Sequence, residues 1–109
     1  MAFKTKALRY LGRLSGRGEI IHNGRKVAPA TFDFDGYHRQ AAGVSGCGEI
    51  RLRADVLKGL FGRVDLQMLT EQGQVFDIIF SDKVLPDESC VAHVDLTGAL
   101  DPADWLCRA

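Results

Sequence analysis

EIIHNGRKVA, residues 19–28, contains the strongest local signal in the chain. Its Asn23-Gly24 pair is the preferred sequence for a two-residue type I′ turn, because both turn positions need a positive φ. The residues on either side of this pair favour extended structure. The segment therefore predicts a β-hairpin with strands near residues 17–22 and 25–34.

The second predicted strand continues into the segment TFDFD, where aromatic and acidic side chains alternate. This period of two is typical of a strand with one buried face, so Phe32 and Phe34 are predicted to point inward. Asp35-Gly36 is predicted to form the next turn, and another strand follows near residues 37–44.

Alternating apolar residues continue through the second half of the chain. A second predicted hairpin joins RVDLQML to VFDIIF through EQGQ, with Val64 and Phe80 among the residues expected to point inward. A last strand is predicted at CVAHVDL. Many short strands with Gly and Asn turns predict an all-β fold, a small antiparallel β-barrel or sandwich of about seven to eight strands with a short C-terminal helical turn.

Two short segments have helical character. The first is ADVLKGLF, which Gly62 is expected to close. The second is DPADWLC, where Asp101 can cap the first turn and Pro102 suits the first helical position. Trp105 in this segment is predicted to cover an open end of the barrel, and the alternative is an anchor in a subunit interface.

Length and composition fit a single domain over residues 1–109. The chain has 46% hydrophobic and 26% charged residues, which is ordinary for a soluble protein. No apolar run is long enough for a signal peptide or a membrane span. Cys47, Cys90 and Cys107 form no CxxC pair, which favours a reducing compartment over a disulfide framework. We therefore expect a cytoplasmic protein, and no motif points to a cofactor.

Charge is distributed unevenly, although the net charge is zero. Ten of the 14 Lys and Arg residues lie within residues 1–53, and ten of the 14 Asp and Glu residues lie within 54–109. The basic half could bind nucleic acid or a membrane surface. Alternatively, the two halves could neutralise each other within one molecule or across a homodimer, which the near-neutral pI favours.

Six residues recur almost unchanged, as SGRGEI at 15–20 and SGCGEI at 45–50. The similarity stops after each isoleucine, which argues against a duplicated unit. Neither copy continues into a dinucleotide-binding or P-loop motif. Because glycines at a strand entrance permit a bulge or a sharp bend, both copies are predicted to be the same structural joint.

Catalytic and metal-binding patterns are weak. The histidines and cysteines lack zinc-site spacing, and the Asp33 and Asp35 pair is typical of a solvated strand face. An enzyme would need an interior pocket that gathers His93, Asp77 and a cysteine. The sequence therefore favours a binding or accessory module over an enzyme.

Arginines alternate with apolar residues in the segment LRYLGRLSGR. If this segment is extended, Leu8, Tyr10 and Leu14 face one side while Arg9 and Arg13 face the other. Arginines on an outward strand face suit phosphate through bidentate hydrogen bonds. Further cations that could contribute are Arg17, Arg25, Arg51 and Arg53.

RYLGR, residues 9–13, has the form RxxxR, and Ser45-Xaa-Xaa-Gly48 follows about thirty residues later. Together they resemble the two motifs of PilZ domains, although Gly43 stands where that family has Asp or Asn. The resemblance implies a small bacterial β-barrel that binds cyclic diguanylate, or another phosphate-bearing ligand. The candidate ligand-binding residues are Arg9, Arg13, Arg17, Ser45 and Gly48.

Overall fold

Six strands and two helices make up the protein in a computed structural model that describes residues 8–106. The elements are β1 (Leu8–His22), β2 (Arg25–Arg39), β3 (Gly43–Arg51), α1 (Ala54–Leu60), β4 (Leu66–Thr70), β5 (Val75–Phe80), β6 (Val91–Thr97) and α2 (Ala103–Leu106). The strands close an antiparallel barrel in the order β1-β2-β3-β6-β5-β4. The antiparallel barrel is confirmed, and the count of seven to eight strands is wrong. Lys4, Lys6 and Cys107 lie outside the described residues.

The first hairpin forms where the sequence predicts it. Asn23 and Gly24 adopt φ values of 54° and 78° between β1 and β2. Both strands are 15 residues long, so β1 begins well before residue 17. A long two-stranded ribbon therefore forms the N-terminal part of the barrel.

The predicted turn at Asp35-Gly36 is wrong, because β2 runs through it without interruption. Gly36 pairs with Gly12 of β1 on one side and with Gly46 of β3 on the other. The chain turns after Arg39 instead, where Ala42 N donates a hydrogen bond to the Arg39 carbonyl oxygen at 3.0 Å. The strand predicted at 37–44 is consequently the end of β2 joined to the start of β3.

Apolar side chains fill the interior of the barrel. The alternation correctly predicted as buried Phe32, Phe34, Leu66, Met68, Phe76 and Ile78. The core also contains Ile50, Ala92, Val94 and Leu96. Aromatic rings contact one another across the core, with ring centroids 5.6 Å apart for Phe34 and Phe76. Val64 is 74% exposed, contrary to expectation, because β4 begins only at Leu66. Phe80 at the end of β5 is half-buried.

The repeated glycines lie at inward positions of β1 and β3. They alternate with outward residues in the same register as the fully buried Ile20 and Ile50. A Cβ atom on Gly18 would overlap the Leu69 carbonyl oxygen, and one on Gly48 would overlap the Asp33 carbonyl oxygen. At Gly18 and Gly48 adjacent strands therefore approach too closely for any side chain. The predicted bulge at a strand entrance is wrong, because both copies lie within their strands and the pairing does not shift through them.

Trp105 of α2 covers one end of the barrel, as predicted. Its side chain is 3% exposed, and its Nε1 donates a hydrogen bond to the Phe34 carbonyl oxygen at 3.1 Å. The indole packs directly on Gly36, where a side chain would leave it no room. Asp101 Oδ1 accepts a hydrogen bond from Ala103 N at 2.9 Å, which confirms the predicted cap.

Membrane-spanning helices are absent from the part of the chain that the structure describes. Both helices, α1 and α2, are far shorter than the roughly 20 residues that a bilayer requires.

Candidate functional site

The outward residues of β1, β2, β3 and β6 form a continuous surface, which we call the outer face. Strand pairing places the outward side chains in rows that run across the strands. One row contains Arg17, Thr31 and Arg51, and we call it the arginine row. The next row on one side contains Ser15, Asp33, Glu49 and His93. The row after that contains Arg13, Asp35, Cys47 and Asp95. We call these the carboxylate rows.

A groove of about 740 Å³ lies over the arginine row, and we call it the basic groove. Arg17, Lys26 and Arg51 line it together with Glu19 and Glu71. Among the described residues, ion pairs involve the arginines at 13, 53 and 63, and none involves the three cations of this groove. These cations are therefore available to an anionic ligand.

A second groove, of about 600 Å³, lies over the carboxylate rows, and we call it the acidic groove. It is lined by the charged residues Arg13, Asp33, Asp35, Glu49, Asp82 and Asp95 and by His93. The Asp35 carboxylate accepts hydrogen bonds from Tyr10 Oη at 2.7 Å and from Arg13 Nε at 3.4 Å. Its hydrogen bond raises the pKa of Tyr10 and also that of Arg13. Arg13 is therefore already matched by a carboxylate and is less available to a phosphate.

The five candidate residues do not converge on one site. Arg17 lines the basic groove, whereas Arg13 and Gly48 line the acidic groove. Arg9 and Ser45 line neither of these two grooves. Gly48 contributes only backbone, because it lies at an inward position of β3.

A bulge in β1 separates the two arginines of the RxxxR motif. The pairing between β1 and β2 shifts between Tyr10 and Gly12. Tyr10 and Arg13 consequently share the outer face, where both contact Asp35, while Arg9 points to the opposite side. The expectation that Arg9 and Arg13 face the same way is wrong, because it assumed an unbroken period of two.

Arg51 lies in the same row as Arg17, whereas sequence reasoning named it only as a further cation and did not place it near Arg17. The two residues are 34 positions apart in the chain, yet Arg17 pairs with Thr31, and Thr31 pairs with Arg51. Finding this pair from sequence requires the register of both strand pairs. Of the other cations, Arg53 forms an ion pair with Asp55 at 3.0 Å.

The interior pocket that would favour catalysis is not formed by the residues considered for it. His93 lies on the outer face, where its ring nitrogens are 3.3 Å from Asp82 and 3.4 Å from Glu49. Asp77 is exposed and accepts a hydrogen bond from Gln67 Nε2. Burial and the nearby carboxylates raise the pKa of the Cys47 thiol, which disfavours the nucleophilic thiolate. No group of three His, Cys, Asp or Glu residues within 8–106 is arranged to hold a metal ion.

Comparisons with known protein families, with curated proteins and with solved structures found no match. The resemblance to PilZ domains therefore stays a prediction.

Asp82 at the rim of the acidic groove predicts a pH dependence of stability. The His93 backbone N–H donates a hydrogen bond to the Asp82 carboxylate at 2.9 Å, which lowers the pKa of Asp82 below the ordinary 3.8. A carboxylate with a lowered pKa stabilises the fold above pH 3.8, and this contribution is lost as the pH falls through the folded-state value. We expect Asp82→Asn to be less stable than the wild type near pH 6, and the difference to disappear towards pH 2 in urea unfolding experiments. A difference that persists unchanged at low pH would contradict this account.

Proposed function

We propose that the protein is a binding module, without chemistry of its own, that holds a phosphate-bearing ligand in the basic groove. The observation that carries this proposal is the arginine row: Arg17 and Arg51 flank Thr31 on adjacent strands, and neither arginine has an ion-pair partner among the described residues. Unpaired guanidinium groups on a concave surface favour an anionic ligand.

The spacing of the row suits phosphate. Arg17 and Arg51 are separated by one strand, so their backbones are roughly 10 Å apart at a strand spacing of about 4.8 Å. Arg51 Nη1 donates a weak hydrogen bond to Cys90 Sγ at 3.9 Å, on the side away from Arg17, and this guanidinium has to turn towards Thr31 to reach the same phosphate. Both arginines can then present a planar fork to the phosphate oxygens. The Thr31 hydroxyl between them can donate a further hydrogen bond.

The rest of the groove limits what the ligand can be. Glu19 and Glu71 lie at the same surface and repel a ligand that carries negative charge throughout. They can accept hydrogen bonds from N–H or O–H groups placed next to the phosphate. A volume of about 740 Å³ is in the range of small-molecule sites. These features support a small phosphate ester with hydrogen-bond donors, a class to which cyclic dinucleotides and other nucleotides belong.

Titration calorimetry with cyclic diguanylate, nucleoside monophosphates and inorganic pyrophosphate tests the proposal. For the ligand that binds, we expect the double variant Arg17→Ala/Arg51→Ala to lose at least about 100-fold in affinity, because each charged hydrogen-bonding contact contributes about 1.5–3 kcal/mol. Binding to the wild type should also weaken as the salt concentration rises, because the affinity depends on exposed cations.

Two controls separate this site from the one that the PilZ resemblance implies. Arg39→Ala removes an exposed arginine near the other end of β2 and should leave the affinity unchanged. Arg9→Ala/Arg13→Ala removes the RxxxR motif and should also bind almost normally. If the RxxxR variant loses binding while Arg17→Ala/Arg51→Ala retains it, the basic groove is not the site. Failure of all three ligand types to bind the wild type would also count against the proposal.

A further inference from the structure

Opposite charges lie side by side on the outer face. The arginine row carries two positive side chains, Arg17 and Arg51. The adjacent carboxylate row carries two negative ones, Asp33 and Glu49, which pair directly across β2 and β3. If a second copy of such a surface is rotated by 180° and placed against the first, the positive row of each copy faces the negative row of the other.

We propose that the outer face docks on the outer face of a second copy of this chain, forming a two-fold symmetric dimer. The axis lies in the interface, runs along the rows and passes midway between the arginine row and the adjacent carboxylate row. Rotation by 180° about this axis places the arginine row of each copy over the carboxylate row of the other. Closed two-fold contacts of this kind are the commonest arrangement in homo-oligomers.

One reciprocal contact fixes the register of the two copies. Arg51 and Glu49 are two residues apart on β3, so their side chains point the same way. A rotation about an axis between them brings Arg51 of one copy against Glu49 of the other, and the same contact occurs twice. The intervening Ile50 is fully buried and takes no part.

Charges that already have partners within the chain do not oppose this arrangement. Asp35 is matched by Arg13, and Glu49 lies 3.4 Å from the His93 ring, which leaves Glu49 able to accept a second donor. Asp33 accepts a hydrogen bond from Ser15 and forms no ion pair with a described cation. Arg51 thus meets Glu49 of the other copy directly, whereas Arg17 lies opposite Ser15, one strand away from Asp33.

The size of the face predicts a weak and salt-sensitive dimer. Four strands about 4.8 Å apart and four to five rows about 6.7 Å apart give an upper bound of roughly 500–600 Å² for each copy, because the outer face curves with the closed barrel. This is at the low end of specific interfaces, where transient complexes are found. Exposed ion pairs are also weakened by salt. We therefore expect self-association at high protein concentration and low salt.

This inference goes beyond the proposed function and does not depend on it, because the dimer is measured without any ligand. The two are nevertheless connected, since Arg17 and Arg51 serve both. A phosphate-bearing ligand in the basic groove would occupy the side chains that the second copy needs.

Sedimentation equilibrium on the full chain, up to 0.5 mM protein and at low and high salt, tests the dimer. We expect the wild type to associate at low salt and to dissociate at high salt. Arg51→Glu and Glu49→Arg should each weaken the association at least tenfold, because each change places like charges against each other twice. The double variant Arg51→Glu/Glu49→Arg should restore it, because the reciprocal pair is then complete with its charges exchanged.

Lys58→Glu is the matched control, because it makes the same change of charge on α1, away from the outer face. It should associate like the wild type, and thermal unfolding confirms that each variant is folded. A wild type that remains monomeric at low salt overturns the inference. So does a folded double variant that fails to recover association, because the Arg51–Glu49 register would then be incorrect. If dimers form normally while every phosphate ligand fails to bind, only the proposed function is lost.

Discussion

Trp105→Ala is expected to lower the free energy of unfolding by about 3–5 kcal/mol, the usual cost of truncating a large buried aromatic residue. Trp105 is 3% exposed, packs on Gly36 and lies with its ring centroid 5.9 Å from that of Phe76. Truncation leaves a cavity that Gly36 cannot fill, and it leaves the Phe34 carbonyl oxygen without its side-chain donor. Urea unfolding followed by circular dichroism measures the loss.

Two further variants give this experiment its controls. Trp105→Phe retains an aromatic ring but removes the Nε1 donor, so it should cost less than Trp105→Ala. Val84→Ala truncates an apolar side chain that is 76% exposed and should change stability by less than about 0.5 kcal/mol. A loss for Trp105→Ala no larger than that for Val84→Ala would show that α2 does not stabilise the barrel. That result would leave the open end without a structural cover.

Gly48→Ala is expected to cost about 3 kcal/mol, the upper end of the usual range for overpacking, although it adds only one methyl group. The new Cβ would overlap the Asp33 carbonyl oxygen on the neighbouring strand, so two paired strands have to move apart. Such backbone overlap cannot be relieved by a change of rotamer. Thermal unfolding of the variant provides the measurement, and failure to accumulate as folded protein is the extreme form of the same result.

Gly59→Ala is the matched control for this substitution. Gly59 lies within α1, and apart from its own helix backbone and adjacent residues no atom lies within 4 Å of the position that its Cβ would occupy. Alanine is favoured over glycine in a helix by about 1 kcal/mol, so this variant should be slightly more stable than the wild type. Equal effects of the two substitutions would show that Gly48 is not at a point of close strand approach.

Local sequence signals predicted the elements whose pattern depends on neighbouring residues alone. The Asn23-Gly24 turn and the alternation in β5 and β6 are examples, because turn chemistry and the period of two act within a few residues. Asp35-Gly36 carries an equally good turn signal, yet it lies in the middle of β2. Residue 36 is a glycine because Trp105 packs against it and leaves no room for a side chain. That contact joins residues far apart in the chain, so the local sequence does not reveal it.

The candidate site could be predicted only in part for the same reason. Arg17 was identified from the basic segment, because its residue type and neighbours suit phosphate. Arg51 is brought beside it by two successive strand registers, and the bulge near Gly12 turns Arg9 away from Arg13. Register and bulges arise from long-range pairing, so they cannot be inferred from local sequence patterns.

Closure of the barrel between β1 and β4 has a consequence for how the chain folds. Short connections join β1 to β2, β2 to β3 and β4 to β5, and residues 81–90 join β5 to β6. The two remaining seams are distant in sequence: Gly18 of β1 meets Thr70 of β4, and Gly46 of β3 meets Leu96 of β6, each across almost half of the chain. Bringing such distant segments together costs loop-closure entropy before any hydrogen bond forms. The hairpins therefore assemble first, and the seams β1–β4 and β3–β6 close late. Until they close, these strands expose unpaired edges, so this brief open state of the chain is the one most prone to aggregate.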